Sequence, residues 1–285
     1  YNQMKLNEFD KMDNKYVFGA ISFDNLDFSL GLDINSFKIQ NTGLTINLAN
    51  LSYVYKLQFD NDLFFLPAVS LGFGSSAVNP GNLIFEDQLN TTTGFINTES
   101  IDRLAPVISN VNYLDLGASF MLHSEKFMAG LTLKHLNKPN TSFNKEVPFE
   151  KPIKISVQGA YEFDINPYER RYLPRYSYLF AYGSFTKFGD SVLIYLSQDF
   201  QLGEFSLGLS QQASSLNTFA LNNVGVSIGL AVENFDFGIL YNFPFQSPGA
   251  VFSPSIFELF VTFDFSIYRR NRRGQYNRLQ TDNYF

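Results

Sequence analysis

The chain has 285 residues, and charged residues make up only 17% of it, compared with about 25% in typical soluble domains. Its 27 acidic and 21 basic residues give a net charge of −6, which excludes a basic nucleic-acid-binding protein, and 45% hydrophobic content excludes a disordered chain. There are 32 Phe and 16 Tyr but no Cys. Disulfides, thiolate nucleophiles and Cys-ligated zinc are therefore excluded as well.

The ends and the hydropathy of the chain restrict its class further. No apolar run approaches the roughly 18 residues that a membrane-spanning helix needs. Tyr1 opens a polar segment that lacks the features of a signal peptide. We therefore expect either that the mature protein starts here or that the true N-terminus lies outside this sequence.

Apolar and polar residues alternate through most of the chain, as in the runs 26–34, 114–122 and 224–232. Because successive side chains of a strand point to opposite faces, each run predicts a strand with one apolar and one mixed polar face. The predicted strands are 16–23, 26–34, 48–59, 63–74, 112–122, 126–136, 152–163, 177–186, 190–199, 203–211, 223–233, 235–243 and 256–268, with 1–6 as part of a fourteenth.

Two packings satisfy such strands: a soluble sandwich or barrel with its apolar faces inside, or a membrane barrel with its apolar faces in lipid. The strands run about 9–12 residues, which suits a tilted bilayer crossing. Gly, Ser and Ala are frequent on the second face, and aromatic residues collect near strand ends. We predict an all-β, antiparallel outer-membrane barrel of about fourteen strands over 1–268, allowing for a truncated first strand, and a basic periplasmic tail over 269–285.

The predicted connectors alternate in length, as expected for short periplasmic turns and longer external loops. The long ones are 35–47, 75–111, 137–151, 212–222 and 244–255. Two connectors break this alternation. Connector 164–176 is long although it lies at the end with the short turns, and connector 188–190 is short although it lies at the end with the long loops.

No residue pattern predicts a catalytic, cofactor-binding or metal-binding site. His123 and His135 are best explained as a turn residue and an interface residue, since neither has ligands at metal spacing. Charged residues on the predicted lumen face more often form a structural network than a catalytic pair, because an unpaired buried ion is costly. The residues of this hypothetical lumen network are Lys134, Lys154, Asp115, Glu162, Glu258 and Asp264.

Several short motifs resemble the PorP/SprF family of type IX secretion system outer-membrane proteins. The segment Leu131–Asn140 resembles that family's strand-and-loop step, in which a polar residue and an Asn-x-Pro step leave a barrel strand. Phe235–Tyr241 and Pro254–Val261 are similar to its closing hairpin, including Glu258, and Tyr1–Gln3 is similar to an early Tyr-x-Asn-Gln element.

The resemblance implies a non-enzymatic protein in the outer membrane of gliding or type IX-secreting bacteria. Its implied partners are outer-membrane lipid, other type IX secretion components and the C-terminal domain of a secreted adhesin, which it helps to export or to hold at the surface. No nucleic acid or cofactor is implied. The alternative function is a porin-like channel or a channel that transports lipid or another hydrophobic solute.

Long loops carry function in barrels, so we expect partner-binding residues among the apolar side chains of 75–111, 137–151 and 244–255. Aromatic residues tend to dominate interface energy. The candidates are Phe85, Phe95, Phe143, Phe149, Val251 and Phe252. The alternative is that these side chains only pack the loops against each other.

Overall fold

In the computed structural model, fifteen strand segments form one antiparallel sheet that closes on itself. Because β4 and β5 both pair with β6, they are two parts of one strand, and the barrel has fourteen strands, as predicted. The segments are β1 Asn2–Lys5, β2 Lys11–Phe23, β3 Phe28–Ile39, β4 Thr45–Tyr55, β5 Leu57–Asp60, β6 Leu63–Ala77, β7 Asn110–His123, β8 Phe127–Lys134, β9 Lys154–Asp164, β10 Ser177–Phe188, β11 Ser191–Leu202, β12 Phe205–Ser215, β13 Phe219–Val232, β14 Phe235–Pro244 and β15 Ser255–Phe263.

The predicted basic tail 269–285 and the end of the predicted last strand, 265–268, lie outside the residues that the structure describes. Within the described residues, no helix has the length and hydrophobicity that crossing a membrane requires. The described residues are 1–5, 11–23, 26–60, 62–79, 83–84, 86–89, 95–96, 100, 110–144, 147–168, 171–174, 177–215, 219–232, 234–245 and 254–264.

The strands place large apolar side chains on the outside and polar side chains on the inside. On β7, Leu114 is 56% exposed while its neighbour Asp115 is 4% exposed. The same inversion holds elsewhere, since Asn50, Ser210 and Asn223 are among the most buried side chains. An apolar exterior around a polar interior is the arrangement of a membrane barrel. The predicted inversion is therefore confirmed.

The strands extend further than predicted at one end, so the predicted long connectors 35–47 and 212–222 are wrong. The actual connections there are 40–44 and 216–218. The alternation of apolar and polar residues stops before the strands do, because the ends of these strands are polar. These polar ends are nevertheless paired with the neighbouring strands. Ser36 Oγ, for example, donates a hydrogen bond to Asn47 Oδ1 at 2.7 Å across the β3–β4 pair.

The two ends of the barrel differ in their connections. At one end, called here the long-loop end, lie 78–109, 135–153 and 245–254. The opposite, short-turn end carries tight connections such as the Gly203–Glu204 turn between β11 and β12. The two exceptions expected from the sequence are present, because 165–176 is a long connection at the short-turn end and Gly189–Asp190 is a tight turn at the long-loop end.

β1 closes the barrel but is short. It pairs with Lys11–Asn14 of β2 on one side and with Ser255–Glu258 of β15 on the other. Towards the short-turn end, no strand within the described residues bridges the remainder of β2 to the remainder of β15. Within the described residues, the closing joint therefore lies in the half of the wall nearest the long loops.

Candidate functional site at the long-loop end

The chain leaves β8 through a compact segment that caps the exposed edge of β7. β8 ends at Lys134, although β7 continues towards the long-loop end. The Leu136 N–H donates to the Leu116 carbonyl at 2.9 Å. The Asn137 side-chain amide then donates to the Leu114 carbonyl at 2.8 Å and accepts from the Leu116 N–H at 3.0 Å. The amide of Asn137 therefore takes the place of a backbone peptide group of the missing strand.

His135 turns the chain and directs its ring into the barrel. Its φ of 61° lies in the left-handed region, which residues other than glycine rarely adopt. Its N–H donates to Asp115 Oδ1 at 3.0 Å, and its Nδ1 lies 2.9 Å from Asp115 Oδ2. Both side chains are buried. Asp115 therefore binds the backbone of His135 and lies in close contact with its ring at the strand exit.

The following loop is held against the barrel by further polar contacts. Asn140 Oδ1 accepts hydrogen bonds from the N–H groups of Ser142 and Phe149, each at 3.0 Å. Lys151 Nζ donates to Tyr113 Oη at 2.7 Å and lies 4.4 Å from the centre of the Tyr113 ring. These hydrogen bonds therefore fix Asn140, Phe149 and Lys151 in position at the long-loop end.

Two of the predicted partner-binding residues are strongly exposed at this end. Phe149 is 62% exposed and Phe95 is 74% exposed, whereas Phe143 is partly buried. Val147, which the sequence analysis did not single out, is 64% exposed beside Phe149. Of the other candidates, Phe85, Val251 and Phe252 lie outside the described residues.

The residues of the hypothetical lumen network face inward but are spread along the barrel. Asp115 contacts His135, while Glu258 Oε2 accepts a hydrogen bond from Asn2 Nδ2 at 3.5 Å. Glu162 and Asp264 lie towards the short-turn end.

Lys134 and Lys154 are opposite each other across the β8–β9 pair, with their side chains in the lumen. Within the described residues, neither lysine forms an ion pair with a carboxylate within 4 Å. Within the described residues, the acids of the predicted network therefore form no ion pairs with its lysines.

A cavity of about 420 Å³, called here the mouth cavity, opens in the lumen next to the strand exit. Lys154, His135 and the hydroxyl-bearing Thr186, Ser191 and Ser214 contribute to its wall. Phe188 and Leu193 supply the apolar part of the wall. The Phe188 and His135 rings lie edge to face, with their centroids 5.8 Å apart.

Bulky side chains occupy the lumen between β8 and β10. Tyr178 and Phe180 are buried together with Ala160, and Met128 and Tyr182 pack against them. This group is called here the lumen cluster. On the neighbouring β6–β7 pair, the Tyr113 ring lies over Gly74, and across the barrel, on β14–β15, the Phe260 ring lies over Gly238. The interior is thus filled by side chains over much of its length.

The part of the chain that the structure describes holds no group of three or more His, Asp or Glu side chains that could bind a metal ion. The polar residues at the strand exit instead bind each other and the backbone. The sequence analysis missed the roles of Asn137 and Lys151. The sequence did contain a signal for the strand exit, because a proline such as Pro139, shortly after Asn137, marks the end of a strand.

Among solved structures, the chain is similar to BamA from Haemophilus ducreyi lacking POTRA domains 1–3, with a TM-score of 0.44 and 7% identity. That alignment covers 89% of this chain and 62% of that one, so this chain spans less than two thirds of its length. A comparison with curated protein sequences finds no match.

The family model described as "Type IX secretion system membrane protein PorP/SprF" matches residues 6–263, which is almost the whole of the barrel. The match extends through the strand exit at His135 and the closing hairpin with β15, two of the places where the sequence resemblance was noted, while Tyr1–Gln3 lies outside it. The chain belongs to the PorP/SprF family of type IX secretion system membrane proteins, and it is an outer-membrane β-barrel.

Proposed function

We propose that this barrel helps to export or surface-anchor a secreted adhesin by binding the adhesin's C-terminal domain at its long-loop end. In this role it is a non-enzymatic part of the type IX secretion and gliding machinery. The family places it in that secretion system. The nature of the partner and the place of contact are our inference.

The supporting observation is a group of exposed apolar side chains beyond the strands that cross the bilayer. Phe95, Val147 and Phe149 lie on loops rather than on the lipid-facing wall, and each is more than half exposed. Exposed apolar side chains collected in one region are typical of protein-binding surfaces, and buried aromatic residues often supply most of the binding energy. Because Asn140 and Lys151 fix their loop, Phe149 is presented at little cost in conformational entropy.

The unequal ends of the barrel support the same orientation. Bacterial outer-membrane barrels carry their longer loops outside the cell and their short turns in the periplasm. The long-loop end then faces the cell surface, where an exported adhesin has to be held. The short-turn end, together with the tail 269–285, would face the other components of the secretion machinery.

The test replaces Phe149 with Ser, alone and together with Val147→Ser, in cells that display the cognate adhesin. We expect surface display to fall while the amount of barrel in the outer membrane stays unchanged. Tyr168→Ser is the matched control, because Tyr168 is even more exposed than Phe149 but lies at the short-turn end. Normal display in the Phe149 variants with loss of display in the Tyr168 variant would move the contact to the periplasmic side and refute the proposed surface.

A further inference from the structure

We propose that the mouth cavity binds an anionic group, a carboxylate or a phosphate, carried on a small apolar body. The proposal is independent of adhesin binding, since it concerns a site inside the lumen rather than the loop surface. It rests on the charges, the hydroxyl groups and the apolar wall that meet in this one cavity.

Among the described residues, Lys154 has no carboxylate beside it in the mouth cavity. Lys134 and Lys154 are direct cross-strand partners on the lumen face, and like charges in that position destabilise a sheet. Asp33 lines the smaller cavity that Lys134 also lines, whereas no described Asp or Glu lines the mouth cavity with Lys154. Asp115, at the strand exit, accepts a hydrogen bond from the His135 N–H and lies 2.9 Å from His135 Nδ1. Lys154 is therefore the charged group that faces an anion in the mouth cavity.

The neutral polar groups around Lys154 suit an anion. Thr186, Ser191 and Ser214 bring three hydroxyl groups to the cavity from three different strands or strand ends, and hydroxyls rotate to donate to an acceptor. Thr186 Oγ1 is 2.9 Å from Ser156 Oγ, which fixes its position. Charge-assisted hydrogen bonds of this kind are the stronger class in proteins.

The size and the remaining wall define the rest of the ligand. A volume of about 420 Å³ falls within the range of small-molecule sites, roughly 300–1,000 Å³, and exceeds what a bare phosphate or acetate fills. Phe188 and Leu193 provide an apolar surface next to the charged end. The geometry therefore favours an anion attached to a ring or a short apolar chain over the free inorganic ion.

The experiment measures the thermal unfolding midpoint of the full chain in detergent micelles at constant ionic strength. The probes are phenyl phosphate, inorganic phosphate, benzoate and acetate, with chloride as the reference anion. We expect phenyl phosphate or benzoate to raise the midpoint more than the matching small ion does. Stabilisation by the phosphates alone or by the carboxylates alone would support the site and name the anionic group.

The variants make the test specific to the cavity. Lys154→Gln removes the repulsion with Lys134, so it should raise the midpoint in chloride and weaken probe binding by about tenfold. Lys154→Arg keeps the charge and should keep the response. Lys187→Gln is the control, because Lys187 lies at the same height on the outer face of β10. An equal response in Lys154→Gln and wild type, or no response to any probe above chloride, would overturn the proposal.

Discussion

The ring of Tyr113 lies directly over Gly74, its cross-strand partner in the β6–β7 pair. A Cβ at position 74 would overlap the ring, so only glycine leaves space for it. Lys151 completes the arrangement by donating to the Tyr113 hydroxyl. An aromatic side chain over a glycine pins the register of a strand pair. This pair therefore holds the loop that carries Phe149 to the barrel wall.

Replacing Gly74 with Ala should destabilise the barrel by about 1–3 kcal/mol, because the ring of Tyr113 has to shift in a packed lumen. Gly31→Ala is the matched control, since a Cβ there would meet its nearest atom at an ordinary 3.8 Å. Urea unfolding of the protein in lipid vesicles measures both. Equal stability of the two variants would contradict the close packing of Gly74 and Tyr113.

The loss of stability caused by a charged side chain on the lipid-facing surface should depend on the depth of that residue in the bilayer. The outward apolar residues of β13 run from Val224 to Val232, so Ile228, which is 62% exposed, lies at the centre of this band and Val232 lies at its short-turn end. We expect Ile228→Arg to cost about 2–4 kcal/mol and Val232→Arg only about 0–1 kcal/mol. Refolding into vesicles measures the difference. If both variants cost the same, the bilayer would not be centred on Ile228.

Loss of the Asn137 amide should expose the edge of β7. Asn137→Ala removes two hydrogen bonds to the backbone of β7, and we expect a loss of about 1–2 kcal/mol. Amide hydrogen exchange at Leu116 should speed up, because its N–H then lacks an acceptor. Asn137→Asp keeps the accepting oxygen and should preserve the protection of Leu116. Unchanged exchange in the Ala variant would refute the role of this side chain.

The lumen cluster should limit conductance. Because Tyr178, Phe180 and Tyr182 occupy the interior, we expect only small currents from the purified protein in planar bilayers. Phe180→Ala should raise the current, whereas Phe185→Ala, on the outer face of the same strand, should not. Large steady currents from the wild type would favour the alternative function of a transport channel.

The strand order was predictable from the sequence because a bilayer imposes strict alternation on every crossing strand. Leu114 and Asp115 show this, as their opposite exposures follow directly from neighbouring positions. The rule fails above the bilayer, where both faces of a strand meet water or polar neighbours. Ser36 and Asn47 pair there without any apolar periodicity, so the sequence suggested a loop where the strands continue.

The strand exit was only partly predictable. The polar run before Pro139 correctly indicated the end of a strand. The pairing of Asp115 with His135 could not be seen, because it joins residues of different strands and depends on the left-handed turn at His135. Likewise, the opposition of Lys134 and Lys154 follows from the register of β8 against β9, which alternation alone does not specify.

The β1–β15 joint has a consequence for how the barrel assembles. Almost every other strand pair joins neighbours in sequence and can form as a local hairpin, whereas Asn2 has to find Glu258 across the whole chain. Within the described residues, this joint comprises the four pairs between Asn2–Lys5 and Ser255–Glu258 and the two backbone hydrogen bonds between Tyr1 and Leu259. Because contacts between distant residues form slowly, we expect the hairpins to form first during insertion and the β1–β15 joint to close last.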